Sequence, residues 1–226
     1  MPRRRRVLPV RVPVSALAAA AALAGGVIAP AGCGRGPTAL ALVQAAPAHT
    51  RAAGSARLRL SVARRAVAVT GDGVVDFARG RGSLVLDLRV LGLGSLEQRV
   101  VGRHVYLRLP DQVGSTPSWL AVGLGNAAGA DLLTSVDPAA ALDYLAGATG
   151  AVRRGADDVG GVRATHYVAT IRALAPALTV DVWLDGAGRV VRESYGAAGF
   201  RTTLDLDRFG LTVTVAPPPS DQVSRG

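Results

Sequence analysis

Arg57-Leu58-Arg59-Leu60-Ser61-Val62 decides the fold. Apolar and polar residues alternate strictly, so one side of an extended strand is buried and the other faces water. The same period runs on both sides of it. Val67 and Val69 follow, then Gly71-Asp72-Gly73, which predicts a turn or bulge. Val74–Phe77 continues as strand, and Leu84, Leu86, Leu88 and Val90 again point one way. Leu96–Val101 and Arg103–Leu109 form the next pair, with Val105, Leu107 and Leu109 opposite His104, Tyr106 and Arg108. Further on, Val162–Ile171 reads as a long strand. Val180, Val182 and Leu184 share a face, and Asp185-Gly186-Ala187-Gly188 is a hairpin loop into Arg189–Tyr195. Phe200–Asp207 and Leu211–Val215 complete the set before Pro217-Pro218-Pro219 stops the sheet.

Helical signals are few. Thr38 caps a front helix carrying Leu40, Leu42 and Val43, which Pro47 kinks or ends. Ala127–Val136 and Pro138–Ala146 read as two short helices. Asp137 is the cap of the second, Pro138 its first residue, and Leu142 and Leu145 its apolar face. Val152 leads into a turn region at Gly155–Gly161, with Asp157 and Asp158 as turn formers. The expected fold is α+β. A curved antiparallel half-barrel of about 10–11 strands carries helices on its concave face, because a sheet this wide curls.

The N-terminus sets the compartment. Arg3–Arg6 and Arg11 precede an uncharged apolar run, Val14–Ala29, and Pro30-Ala31-Gly32-Cys33 follows. This is a secretory signal, and the single cysteine sits where the cut falls. It reads as a lipobox: a diacylglyceryl group goes onto the sulfur of Cys33, and cleavage leaves Cys33 as the new N-terminus. An ordinary signal peptide with Cys33 as a bystander is the alternative. The apolar run is too short and Ala-rich for a spanning anchor. The expected division is 1–32 signal peptide, 33–37 lipidated tether, 38–217 one domain and 218–226 a flexible tail.

The full chain of 226 residues carries +10, and all its basic residues are arginine. Half of that excess lies in the signal, and the rest is interspersed, which argues against a nucleic-acid stripe. The serines lack the flanks of a nucleophile elbow. His49, His104 and His166 lack ligand spacing, so neither metal nor cofactor is expected. His166 reads as a surface or rim residue, and no catalytic cluster is evident.

Several short runs together resemble a family. Asp137-Pro138, Leu142-Asp143-Tyr144-Leu145, Val159-Gly160-Gly161-Val162, Thr165-His166-Tyr167, and Val182 through Arg192 are similar in order and spacing to the actinobacterial LppX/LprG lipoproteins. Tyr106-Leu107-Arg108-Leu109 before Trp119, and Pro217-Pro218, also fit. Pro30 and Pro47 depart from the pattern. The resemblance implies a LolA-like half-barrel that holds acyl chains of lipids or glycolipids in an apolar cavity and carries them across the envelope. It implies a monomer anchored by its acyl groups, such as palmitate, on the extracytoplasmic side of the cell membrane, with no enzymatic step. A non-catalytic envelope sensor or interaction module of the same fold is the alternative. The alternating apolar residues then become cavity candidates: Leu58, Leu60, Val62, Leu84, Leu86 and Leu88 in the first half, and Val105, Leu107, Leu142, Leu145, Val180, Val182 and Leu184 in the second. A lining without polar hooks is expected.

Overall fold

The Arg57–Val62 alternation lies within strand β1 (Ser55–Arg64), near the middle of a sheet that grows from it in both directions. The structure is a computed structural model and describes residues 36–110, 119–123, 141–172 and 177–225. Residues 36–226 form one compact unit by their own contacts. The strands are β2 (Val67–Asp76), β3 (Arg81–Asp87), β4 (Ser95–Val101), β5 (His104–Arg108), β6 (Trp119–Gly123), β7 (Gly150–Val159), β8 (Val162–Ile171), β9 (Leu178–Leu184), β10 (Val190–Ala197), β11 (Phe200–Asp207) and β12 (Val223–Arg225). They form one curved, unclosed sheet ordered β12-β6-β5-β4-β3-β2-β1-β11-β10-β9-β8-β7. Every pairing is antiparallel except β12 with β6.

Register fixes two faces. The inner face carries the row Tyr167–Val182–Glu193–Leu204–Leu60–Gly71–Leu86–Leu96 across eight strands. The outer face carries His166–Trp183–Arg192–Asp205–Arg59–Asp72–Val85–Glu97–Arg108–Trp119. Opposite charges adjoin along much of the outer row, and cross-strand neighbours of this kind favour the register. Arg192 Nε lies 2.5 Å from Asp205. Asp207 and Asp72 lie 3.0 and 2.7 Å from Arg59 and Arg57.

Helix α1 (Ala39–Ala52) starts at Thr38, whose Oγ1 accepts from the Ala41 N–H at 3.2 Å. Of the two outcomes expected at Pro47, a kink or an end, the end does not occur. The helix runs one more turn beyond it, with Pro47 buried. Tertiary packing holds that turn: the Thr50 hydroxyl donates to Ala46 O at 2.8 Å and accepts from the Val190 N–H at 2.9 Å.

Other expectations change too. Gly71-Asp72-Gly73 is neither turn nor bulge; β2 runs through it. Val90 leaves the strand and enters a 3₁₀ turn, Arg89–Leu91. β6 was not foreseen. β7 occupies the Gly155–Gly161 region, and only Gly160 and Gly161 turn. In its described part the expected Pro138–Ala146 helix is not an α-helix but a 3₁₀ segment, Asp143–Gly147, with Leu142 as its N-cap. Leu211–Val215 is irregular, while the expected tail contains β12. The helix at Ala127–Val136, the Asp137-Pro138 cap and everything through Cys33 lie outside the described residues.

The turns collect at two rims. One rim holds the β1–β2 hairpin, the β3–β4 connection, the ends of β5 and β8 and the β10–β11 hairpin. The other holds the β2–β3, β4–β5, β7–β8 and β9–β10 turns.

Candidate functional site

The inner face is built from small aliphatic residues because every second strand position points there. Leu58, Leu84, Leu86, Leu142, Leu145, Val180, Val182 and Leu184 are buried in one continuous apolar cluster with Leu60. Val62, Leu88 and Leu107 are partly buried against it. Val105 is buried but lies outside that cluster. Helix α1 and the Asp143–Gly147 segment pack mainly on β7, β8 and β10 and on each other. An Arg51–Asp143 ion pair ties the two together. Leu84, Leu86, Leu96 and Leu107, on β3 to β5, continue the apolar face beyond those main contacts.

Two glycines shape this face. A Cβ on Gly71 would lie 2.7 Å from Leu86 Cδ2 and 2.9 Å from Leu84 Cδ1, so both leucines lean over it. A Cβ on Gly73 would lie 2.1 Å from Ser83 O, so β2 and β3 approach there more closely than any side chain allows.

The lining is not free of polar groups. Gln98 is fully buried between Leu84 and Leu107 in the register, and its Oε1 has no hydrogen-bond partner among the described residues. Glu193 is buried and accepts a 2.7 Å hydrogen bond from the Tyr144 hydroxyl. Burial pushes its carboxyl up from 4.5 to about 7, against the pull of that bond. Burial, with the carboxylate beside it, also drives the Tyr144 phenol upward, so it stays a donor. Tyr195 meets the Tyr144 ring edge-on at 6.4 Å. Plain alternation misassigns Glu193. The register shifts between Val190 and Arg192, and that shift turns Arg192 outward and Glu193 inward.

The outer face offers a different chemistry. His166 stacks on Trp183 at 4.3 Å, and its Nε2 lies 2.8 Å from Asp181. Its Nδ1 is 3.9 Å from Asp157, which also accepts from Trp183 Nε1 at 2.7 Å. Both imidazole nitrogens face carboxylates, so the ring serves as a packed surface pair rather than a base poised over a hydroxyl. Among the described residues, no three His, Cys, Asp or Glu side chains converge as metal ligands. No described helix is long and apolar enough to cross a membrane. Two adjoining grooves of about 350 and 490 Å³ lie on this face, both bordered by Val85, Gly94 and Ser95.

Comparison with solved structures places this architecture. The Mycobacterium tuberculosis lipoprotein LppX superposes with a TM-score of 0.60 at 18% identity, over 80% of this chain and 100% of that one. The chain has the LppX fold. LprF from Mycobacterium bovis superposes with a TM-score of 0.53, also at 18% identity, over 80% of this chain and 98% of that one. No protein-family model and no curated protein sequence matches. The LppX fold accounts for the long unclosed sheet; at this identity it does not carry residue roles across.

Proposed function

We propose that this protein is an exported lipoprotein, anchored through Cys33, that holds acyl chains of lipids or glycolipids against the inner face of its sheet and carries them across the envelope. The observation that supports this best is the reach of that face. Its apolar rows cross eight strands, well past the main contacts of α1 and the Asp143–Gly147 segment. A likeness in fold to LppX, itself a lipoprotein, points the same way. The lining to test is the set of Leu58, Leu60, Leu84, Leu86, Leu107, Val180 and Val182, with Leu142 and Leu145 opposite. Each CH₂ removed from water is worth about 0.8 kcal/mol, so retention needs no directional bond. Gln98 and Glu193 then stand as the polar points beside which a headgroup or carbonyl would settle.

Protein purified without detergent from its producing membrane should yield acyl lipid, near one per chain, on solvent extraction and mass spectrometry. A lipid-free extract would sink the carrier reading and leave a non-catalytic interaction module of the same fold.

A further inference from the structure

The connection between β3 and β4 is exposed and apolar, and its own hydrogen bonds close it. Leu88–Gly94 closes on itself through Leu88 N–H to Gly94 O at 2.9 Å, Leu91 N–H to Leu88 O at 2.9 Å and Gly92 N–H to Arg89 O at 2.9 Å. Gly92 takes φ +75, which the left-handed turn requires. Arg89 is clamped on the Asp87 carboxylate at the base, and that pair holds Asp87 down to about 2. The loop presents Val90, Leu91 and Leu93 outward, exposed by 53%, 53% and 38%. Leu109 is exposed beside it, across the groove that Gly94 and Pro110 share. Clustered exposed aliphatics on a built loop mark a contact surface.

The surrounding charge selects the contact. Among the described residues this rim holds Arg64, Arg65, Arg89, Arg108, Arg172 and Arg201, all exposed, against two acids, Asp87 paired with Arg89 and Glu97 paired with Arg99. The opposite rim mixes its arginines with Asp76, Asp158, Asp185 and Asp207. Chain direction brings the start of α1 to the same side. Thr50 bonds Val190 at the opposite rim, and Gln44 Nε2 reaches Ala148 O at 2.8 Å beside the start of β7. The first turn of α1 thus lies toward the basic rim. Cys33 precedes Thr38 by five residues, a span of at most roughly 18 Å.

We propose that this rim docks on an anionic lipid bilayer, with Val90, Leu91 and Leu93 entering the headgroup layer and Arg64, Arg65, Arg108 and Arg172 lying over its phosphates. The proposal rests on the lipid-carrying reading and adds the surface through which cargo would pass to a membrane. Aliphatic insertion and basic attraction together give reversible, salt-sensitive binding.

The unit 36–226 carries its own core and lacks Cys33, so its vesicle binding reports the rim alone. Flotation with phosphatidylcholine vesicles, with and without phosphatidylglycerol, measures docking. Uptake of cis-parinaric acid in the same samples measures acyl binding. The wild type should float with the anionic vesicles, and less so in high salt. Val90→Asp with Leu91→Asp should weaken flotation by roughly tenfold or more. Arg64→Glu with Arg65→Glu should abolish the preference for phosphatidylglycerol, and Arg103→Glu on the opposite rim should change nothing. Equal flotation on both vesicles, or a loop variant that floats like wild type, would overturn the docking proposal even if acyl uptake is intact. Loss of acyl uptake with intact docking would instead overturn the carrier reading alone.

Discussion

Glu193 is the residue whose chemistry departs most from its surroundings. Its folded value of about 7 stands above the ordinary 4.5, so the native state holds the proton more tightly than the unfolded chain. Stability is therefore highest near and below pH 4.5 from this group. It falls as pH rises through about 7, by ~3 kcal/mol if the full shift is expressed. Chemical denaturation at pH 5 and pH 8 should show that loss, and Glu193→Gln should remove most of it. A wild type as stable at pH 8 as at pH 5 would mean the carboxyl is hydrated. Thr50 is the second critical side chain, because it accepts from the buried Val190 N–H. Thr50→Ala should cost about 1–3 kcal/mol in denaturant unfolding, since the N–H is left without a partner. A loss under ~0.5 kcal/mol would show that water reaches it.

At the scale of elements, β2 is the strand that shapes the sheet. Gly73→Ala should destabilise by at least ~2–3 kcal/mol, since the new methyl would meet Ser83 O and backbone cannot step aside. Gly155→Ala, with nothing within 4 Å, should be neutral to slightly stabilising. Equal melting shifts for the two would remove the close approach from the account. Most of this architecture was legible in sequence. The alternations at Leu58–Val62 and Val180–Leu184 mark β1 and β9 because each has one wet face and one dry face. Several features, β6 among them, were not. Gly71-Asp72-Gly73 carries turn chemistry, but its glycines serve strand approach. Gly155–Val159 is polar because β7 is an edge strand, where Asp157 and Asp158 face solvent and discourage further pairing. β12 is three residues long and is defined only by the neighbour it joins, β6. The candidate lining was legible as an apolar face, whereas Gln98 and Glu193 were not. Gln98 hides in a charged strand, and a single register shift reverses the parity of β10.

For the molecule as a whole, the sheet is unclosed, and its buried inner apolar cluster extends to β3, β4 and β5, past the strands on which α1 mainly packs. The claim on which the rest depends is that this side receives hydrocarbon. Isothermal titration of delipidated protein with saturated fatty acids of increasing length tests it most directly. Affinity should rise about fourfold per added CH₂, the equivalent of ~0.8 kcal/mol, until the chain outgrows the face. No saturable binding, or an affinity indifferent to chain length, would contradict it.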